Sequence, residues 1–227
     1  MSTDTVKPVA PADIVSGVRT LIASFKDVLA RHRPGKDPVS LEIGNVLSLL
    51  AAPPPLTGGF QESDHPVARF FDAALGTGNK TTAGLLDGIR PVIQFLPWRY
   101  SYPVREDAPG LEKNIAFAEL IGPEAPFKSD TVCLGLTLIA PKTLYPAHQH
   151  PAVELYYVVT GTATWILNGE ARRNPPGAFI LHPSQGVHAM QTTSSPLLAI
   201  YTWSGHDIHS TSVYTRSART NPNHSNP

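Results

Sequence analysis

Apolar residues recur at three- and four-residue spacing along the first part of the chain. Ile14, Val18, Leu21, Ile22, Phe25, Val28 and Leu29 share one face of a 3.6-residue period, which predicts an amphipathic helix. Pro11-Ala12-Asp13 suits its entrance and Pro34-Gly35 its end. The same pattern predicts helices over Leu41–Ala51, closed by Pro53-Pro54-Pro55, near Pro66–Leu75, and over Thr81–Phe95 before Pro97. The plain reading of these stripes is core packing.

After Trp98 the pattern changes. Trp98–Pro103 reads as an extended connection and Pro109-Gly110 as a turn. Strand-like runs follow at Ile115–Leu120, Thr131–Ile139, Glu154–Val159, Thr162–Leu167, Phe179–Leu181, Val187–Thr192 and Leu197–Trp203. Asn168-Gly169, between Trp165-Ile166-Leu167 and Glu170-Ala171-Arg172, is a two-residue hairpin signal. Short strands with frequent turns point to an antiparallel barrel or double-sheet jelly roll. The division expected is a helical region at 1–100, a β-barrel at 101–216, and a tail without fixed structure at 217–227, rich in Asn, Ser and Pro.

Composition narrows the functional classes. The 227 residues are 41% hydrophobic, enough for a substantial core. Eighteen basic and 18 acidic residues balance, leaving no electrostatic footprint for nucleic acid or an anionic membrane. The single cysteine, Cys133, sits in an apolar run and cannot form an internal disulfide. The first residues lack the basic start and apolar run of a signal peptide, and no stretch nears the roughly 20 apolar residues needed to span a bilayer. A cytoplasmic protein is expected.

The chemistry is concentrated in His148-Gln149-His150-Pro151-Ala152-Val153-Glu154, with His188 downstream. Strand side chains repeat every two residues, so 148, 150 and 154 can project from one face. Imidazoles plus a carboxylate make a mixed nitrogen and oxygen site for one divalent transition metal, with Zn, Fe, Mn, Co and Ni all open. Tyr156 shares the parity of Glu154, and its phenol points toward the same pocket, where a core tyrosine is the plainer role. Tyr157 has the opposite parity and is expected to pack the barrel. Tyr145, three residues before His148, could close over the metal. His182 either lines the pocket or caps a strand. His206, His209 and Asp207 read as a solvated loop more than a second metal site, and His32, His65 and His224 offer no constellation.

The spacings His148-x-His150-xxx-Glu154-xxxxxx-Gly161 and Gly177-xxxxx-Pro183-xxxx-His188 resemble the two metal-binding motifs of the cupin superfamily. Two departures bear on turn geometry: Lys142 replaces a glycine six residues before His148, and Gly186 falls one place late after Pro183. His150-Pro151-Ala152-x-Glu154-Leu155-Tyr156-Tyr157, the His182-Pro183-x-x-x-x-His188 element and the helical first hundred residues together resemble the cupin-type dimethylsulfoniopropionate (DMSP) lyases. Length and layout point to the DddL type. The resemblance implies a mainly β fold, a cupin double-stranded β-helix barrel with an N-terminal α-helical extension covering one side. It implies a metal held by His148, His150, Glu154 and His188, with Tyr156 as the base and Tyr145 as the second candidate. The implied reaction is β-elimination of DMSP to dimethyl sulfide and acrylate, the metal binding the carboxylate. A tyrosine base predicts activity at alkaline pH.

Aromatic faces attract a sulfonium by roughly 0.5–2 kcal/mol each, without requiring a carboxylate partner. Trp165, Tyr201 and Trp203 are the candidates. An iron-dependent cupin dioxygenase of a small thiol or acid uses the same ligands and stays open, as do a non-catalytic small-molecule-binding cupin and, more weakly, a sugar isomerase. Cupins often pair through exposed strands, which leaves a homodimer open, though no feature of the sequence demands one.

Overall fold

The computed structural model describes residues 10–32, 35–76 and 78–215; the expected unstructured tail from Ser217 lies outside them. Helix α1 spans Pro11–His32 and buries Ile14, Val18, Leu21, Phe25, Val28 and Leu29, as its period requires. Helix α2 spans Pro38–Leu49, starting three residues before the expected Leu41. The reason is local: the Asp37 carboxylate accepts from the Ser40 N–H at 3.1 Å, and Pro38 has the backbone angle a first helical residue needs. The next two predicted helices are each broken. A 3-10 turn at Pro66–Phe70 leads into α3 at Phe71–Leu75. Helix α4 covers only Ala83–Ile89, followed by a 3-10 turn at Ile93–Phe95, because Pro91 has no N–H to continue the ladder. A single turn, α5, covers Leu111–Asn114.

Among the described residues, twelve strands form two sheets. They are β1 Trp98–Arg99, β2 Ile115–Gly122, β3 Phe127–Lys128, β4 Cys133–Ile139, β5 Leu144–Gln149 and β6 Val153–Thr160, then β7 Ala163–Leu167, β8 Glu170–Asn174, β9 Phe179–His182, β10 His188–Thr192, β11 Leu197–Ser204 and β12 Val213–Tyr214. The larger sheet runs β1-β2-β4-β11-β6-β9 with β3 paired to β2, and the smaller runs β12-β5-β10-β7-β8. This is the expected jelly-roll barrel with the helices on one side.

The two faces of the larger sheet explain its uniformly apolar strands. Leu134, Leu136 and Leu138 of β4, Leu155, Tyr157 and Val159 of β6, and Leu198 and Ile200 of β11 face outward into the helical layer with Val18, Leu21 and Phe25. Residues of opposite parity, among them Cys133, Tyr156, Val158, Ala199 and Tyr201, fill the barrel together with Tyr145, Trp165 and Met190 of the smaller sheet. Tyr157 therefore packs outside the barrel, its ring 4.7 Å from Phe179 and 6.2 Å from Phe25.

Turn geometry follows the residues that permit it. Asn168 and Gly169 both have positive φ, 49° and 89°, the primed turn that their dipeptide signals. Lys142, at the expected glycine, takes φ 54° and keeps the turn with its N–H on Thr193 O at 2.7 Å. Gly161 has φ 76°, and a Cβ there would stand 2.1 Å from Pro196 O.

One expectation is corrected. His148, His150 and Glu154 do not lie on one strand: β5 ends at Gln149, His150 begins the turn, and Glu154 belongs to β6 in the other sheet. Pro146 and the mixed polarity of Leu144–Gln149 hid β5 from the hydrophobic pattern.

Candidate metal centre and active-site cavity

The two sheets bring four histidines and a glutamate together inside the barrel. His148 on β5 pairs in register with His188 on β10, and their rings lie 4.1 Å apart. Glu154 on β6 pairs with His182 on β9 and Trp203 on β11. His148, His150, Glu154, His182 and His188 are all buried. One ligand atom each from His150, Glu154 and His188 lies within 4.8 Å of the others, a group that could hold a metal.

Local backbone sets the tautomers of three imidazoles. The Nδ1–H of His148 donates to Pro146 O at 2.7 Å, that of His150 to Ala152 O at 3.0 Å, and that of His188 to Gly186 O at 2.8 Å. A carbonyl only accepts, so each Nδ1 carries the proton and each Nε2 is the position available to a cation. His148 shares this arrangement although it lies outside the tightest three-residue group. His182 differs: its Nδ1 faces Glu154 Oε2 at 3.1 Å and its ring stacks on His188 at 3.9 Å.

Glu154 is the hub. Its Oε2 lies 3.2 Å from His150 Nε2, 3.1 Å from His182 Nδ1 and 3.3 Å from His188 Nε2. Its Oε1 accepts from Trp203 Nε1 at 2.8 Å, and the Trp203 ring lies 4.3 Å from that of His150. Burial opposes charge on Glu154, yet the His150 charge and the imidazole hydrogen bonds hold its carboxyl well below the usual range. Burial likewise opposes charge on His150, and Glu154 overcomes it to raise that residue. Burial, then His188, pushes His148 well down; burial also lowers His182.

The donor set fits a divalent ion. His182 Nε2 and His188 Nε2 are buried without hydrogen-bond partners, beside a carboxylate kept ionised. Such orphaned nitrogens are rare unless something completes them.

A cavity of about 200 Å³ opens onto this cluster. Its wall includes Tyr102, Phe117, Tyr145, Tyr156, Tyr201 and Trp203, with His148 and Glu154. Tyr145 stacks on His148 at 4.0 Å, and Tyr156 lies 5.7 Å from the His182 ring. Burial, then the neighbouring carboxylate of Glu154, holds the Tyr156 phenol well above its ordinary value. Burial and Tyr102 do the same to Tyr145, and burial and Glu119 to Tyr201.

Of the expected aromatics, Tyr201 and Trp203 line the cavity, Trp203 also anchoring Glu154. Trp165 lies behind the wall, its ring 4.8 Å from Tyr156, and His182 sits beneath Glu154. Tyr102, Phe117, Glu119 and Arg99 line the cavity and were not singled out from the sequence. The alternation Ile115, Phe117, Glu119 on β2 carried the signal for two of them. Tyr102 lay in a stretch read only as a connection. His206 and His209 are exposed, as a solvated loop requires.

Comparison with known proteins agrees with this architecture. The DMSP lyase DddQ of Ruegeria pomeroyi is 34% identical over 119 residues, covering 52% of this chain and 59% of that protein. A candidate DMSP lyase, DddL of Cereibacter sphaeroides, is 33% identical over 143 residues, covering 62% of this chain and 60% of that protein. The matched stretch thus spans about three fifths of either relative, and the identities do not separate the DddL type from the DddQ type. The crystal structure of DMSP lyase DddQ from Ruegeria pomeroyi superposes with a TM-score of 0.71 at 27% identity, covering 88% of this chain and 96% of that one. A chain from the structures of DMSP lyases RdDddP and RnDddQII shares the fold at TM-score 0.71 and 20% identity, covering 89% of this chain and 100% of that one. The DMSP lyase family model matches residues 42–199, well over half of the sequence, and the chain belongs to that family.

Proposed function

We propose that this protein is a metal-dependent carbon–sulfur lyase that cleaves DMSP to dimethyl sulfide and acrylate. The observation carrying this is the placement of Tyr156 in the wall of an aromatic cavity, two residues along β6 and on the same face as a Glu154 ringed by imidazoles.

His148, His150, Glu154 and His188 hold the ion. When bound, it supplies Lewis-acid stabilisation to a carboxylate whose neighbouring carbon is losing its proton. The chain's own residues do the rest. Tyr156, as the phenolate, takes the proton from C2, the C–H pair becomes the C2–C3 double bond, and the C3–S bond breaks with its electrons going to sulfur. The sulfonium leaves as neutral dimethyl sulfide, and the proton ends on the phenolate oxygen, restoring the phenol. Tyr156 starts as a phenol held high by burial and Glu154. Forming its phenolate, with the phenol proton passing to solvent, costs about 1.36 kcal/mol for each unit the pKa stands above the working pH, which requires the Glu154 charge to be neutralised in the loaded site. Tyr145, stacked on His148, is the second base candidate. The faces of Tyr102, Phe117, Tyr201 and Trp203 receive the sulfonium and exclude water.

Anaerobic release of dimethyl sulfide from DMSP by metal-loaded protein, with His150→Ala beside it, tests the reading. Release that disappears in the variant is expected. No release with any of Zn, Fe, Mn, Co or Ni rejects it, and oxygen uptake with a small thiol acid then supports a dioxygenase instead.

The chain comprises a helical region to residue 100 and a barrel from 101 to 216. It acts in the cytoplasm on a small molecule, with no nucleic-acid or membrane partner, and a homodimer stays open. Among the described residues no helix is long and apolar enough to cross a membrane, and Cys133 is buried and unpaired.

A further inference from the structure

The proposed reaction leaves three charged residues of the cavity wall, Arg99, Glu119 and Glu124, without a task, and Glu119 is the one that lies in register with the site. On β2, Ala116, Ala118 and Leu120 face the helical layer, while Phe117 and Glu119 face the cavity. Glu119 stands in one cross-strand row with Tyr156: Tyr156 pairs with Tyr201, Tyr201 with Gly135, and Gly135 with Glu119. Three strand spacings of about 4.8 Å put the ends of that row on the order of 14 Å apart at the backbone. The cavity therefore carries a carboxylate at the metal cluster and another across from it.

The two acids differ in their surroundings. Glu154 is met by three imidazoles and an indole N–H. Glu119 Oε1 is buried with no hydrogen-bond partner, and among the described residues Glu119 makes no ion pair within 4.0 Å. Burial raises its pKa, partly offset by the charge of Arg99 at the cavity wall and by a hydrogen bond from the Glu124 backbone. Glu119 Oε1 tucks over Gly122, where a Cβ would stand 2.3 Å away, and a cavity-wall carboxylate with an unpaired buried oxygen favours a cationic or donating ligand beside it. The space beside it is shaped for one. A Cβ on Gly135 would come within 2.7 Å of the Tyr201 ring, so only glycine lets that ring lean toward β2. Phe117 meets Tyr201 edge-on at 6.4 Å and 89°.

We propose that Glu119 determines specificity for the onium end of the substrate: its carboxylate, beside Phe117 and Tyr201, neutralises the sulfonium and favours a zwitterion over a neutral acid of the same shape. This deepens the DMSP reading and rests on it. The sulfonium charge disappears as dimethyl sulfide leaves, so Glu119 stabilises bound substrate more than the transition state. Its loss acts on KM, with kcat held or raised.

The test uses metal-loaded full-length protein and two inert ligands that differ only in charge, 3-(trimethylammonio)propanoate and 4,4-dimethylpentanoate, measured by calorimetry. Wild type should prefer the onium ligand by about tenfold or more. Glu119→Gln should erase most of that preference by weakening the onium ligand alone, and Glu119→Asp, which keeps the charge, should restore it. With DMSP, Glu119→Gln should raise KM without lowering kcat. Equal weakening of both ligands in Glu119→Gln marks a structural residue and overturns the proposal. So does a wild type without preference, or a preference that survives the substitution. Failure to release dimethyl sulfide overturns the lyase reading, while the ligand pair still judges Glu119.

Discussion

Trp203→Phe isolates the support of the metal cluster from its ligands. The substitution deletes the Nε1–H donated to Glu154 Oε1 at 2.8 Å and keeps an aromatic ring over His150, which the indole now meets at 4.3 Å. A hydrogen bond to a charged group contributes about 1.5–3 kcal/mol, and Trp203 is only partly buried, so water can replace some of it and the lower end applies. Losing such a support around a ligating carboxylate costs about 10–100-fold in metal affinity, or ~1.4–2.7 kcal/mol. Competition against a chelator of known affinity reads this directly, and urea denaturation of metal-free protein should show a loss of about 1 kcal/mol. The proposed lyase rate should fall at limiting metal and recover largely when metal is saturating, because Phe keeps an aromatic face for the sulfonium and only the support of Glu154 is lost. Metal affinity within twofold of wild type, with unchanged metal-free stability, would refute the assignment.

Tyr156→Phe should retain metal and lower kcat by about 10²–10⁴-fold; retention of most turnover moves the base to Tyr145, where Tyr145→Phe is the matching measurement. Metal-free protein should lose stability as pH falls from 7 to 5. His148 and His182 are held below their ordinary value. Between about 6.5 and their folded pKa values the unfolded chain binds more protons, so stability there rises with pH. Glu154, held low, adds stability present above its unfolded pKa and lost as pH falls through the folded one. His150, raised, acts the other way: its contribution is full below about 6.5 and lost as pH rises through its folded pKa. Thermal midpoints across this range should therefore slope upward with pH, less steeply in His148→Asn; a flat profile contradicts the ordering. Gly161→Ala forces a Cβ to 2.1 Å from Pro196 O at φ 76° and should destabilise by about 2 kcal/mol or more in urea. A variant as stable as wild type would mean that turn relaxes freely.

The sequence by itself determined the elements whose signals are local. The period of α1, the Asn168-Gly169 turn and the apolar runs of β4, β6 and β11 each depend on residues within a few positions of one another. The spaced residues His148, His150, Glu154 and His188 also marked the buried cluster, three of whose members could hold a metal, because each candidate ligand must be a donor whatever its neighbours are. The breaks at Pro66–Leu75 and Thr81–Phe95 were less legible, since hydrophobic spacing survives where the hydrogen-bond ladder does not. Strand β5 was invisible because its pattern is set by the site it builds rather than by a continuous core face.

Only the tertiary structure decided what meets across the barrel. Parity placed Tyr156 inward, but which sheet carried each ligand depended on β5 and β6 parting after Gln149. Trp203 read as an aromatic wall and also proved to be a donor to Glu154, a contact formed between strands 49 residues apart in the chain. Glu119 carried no motif, and its unpaired carboxylate oxygen acquires meaning only because β4 and β11 set the residue in one row with Tyr201 and Tyr156. Local spacing specifies which groups a strand presents, whereas sheet register and barrel closure specify which of them share a cavity.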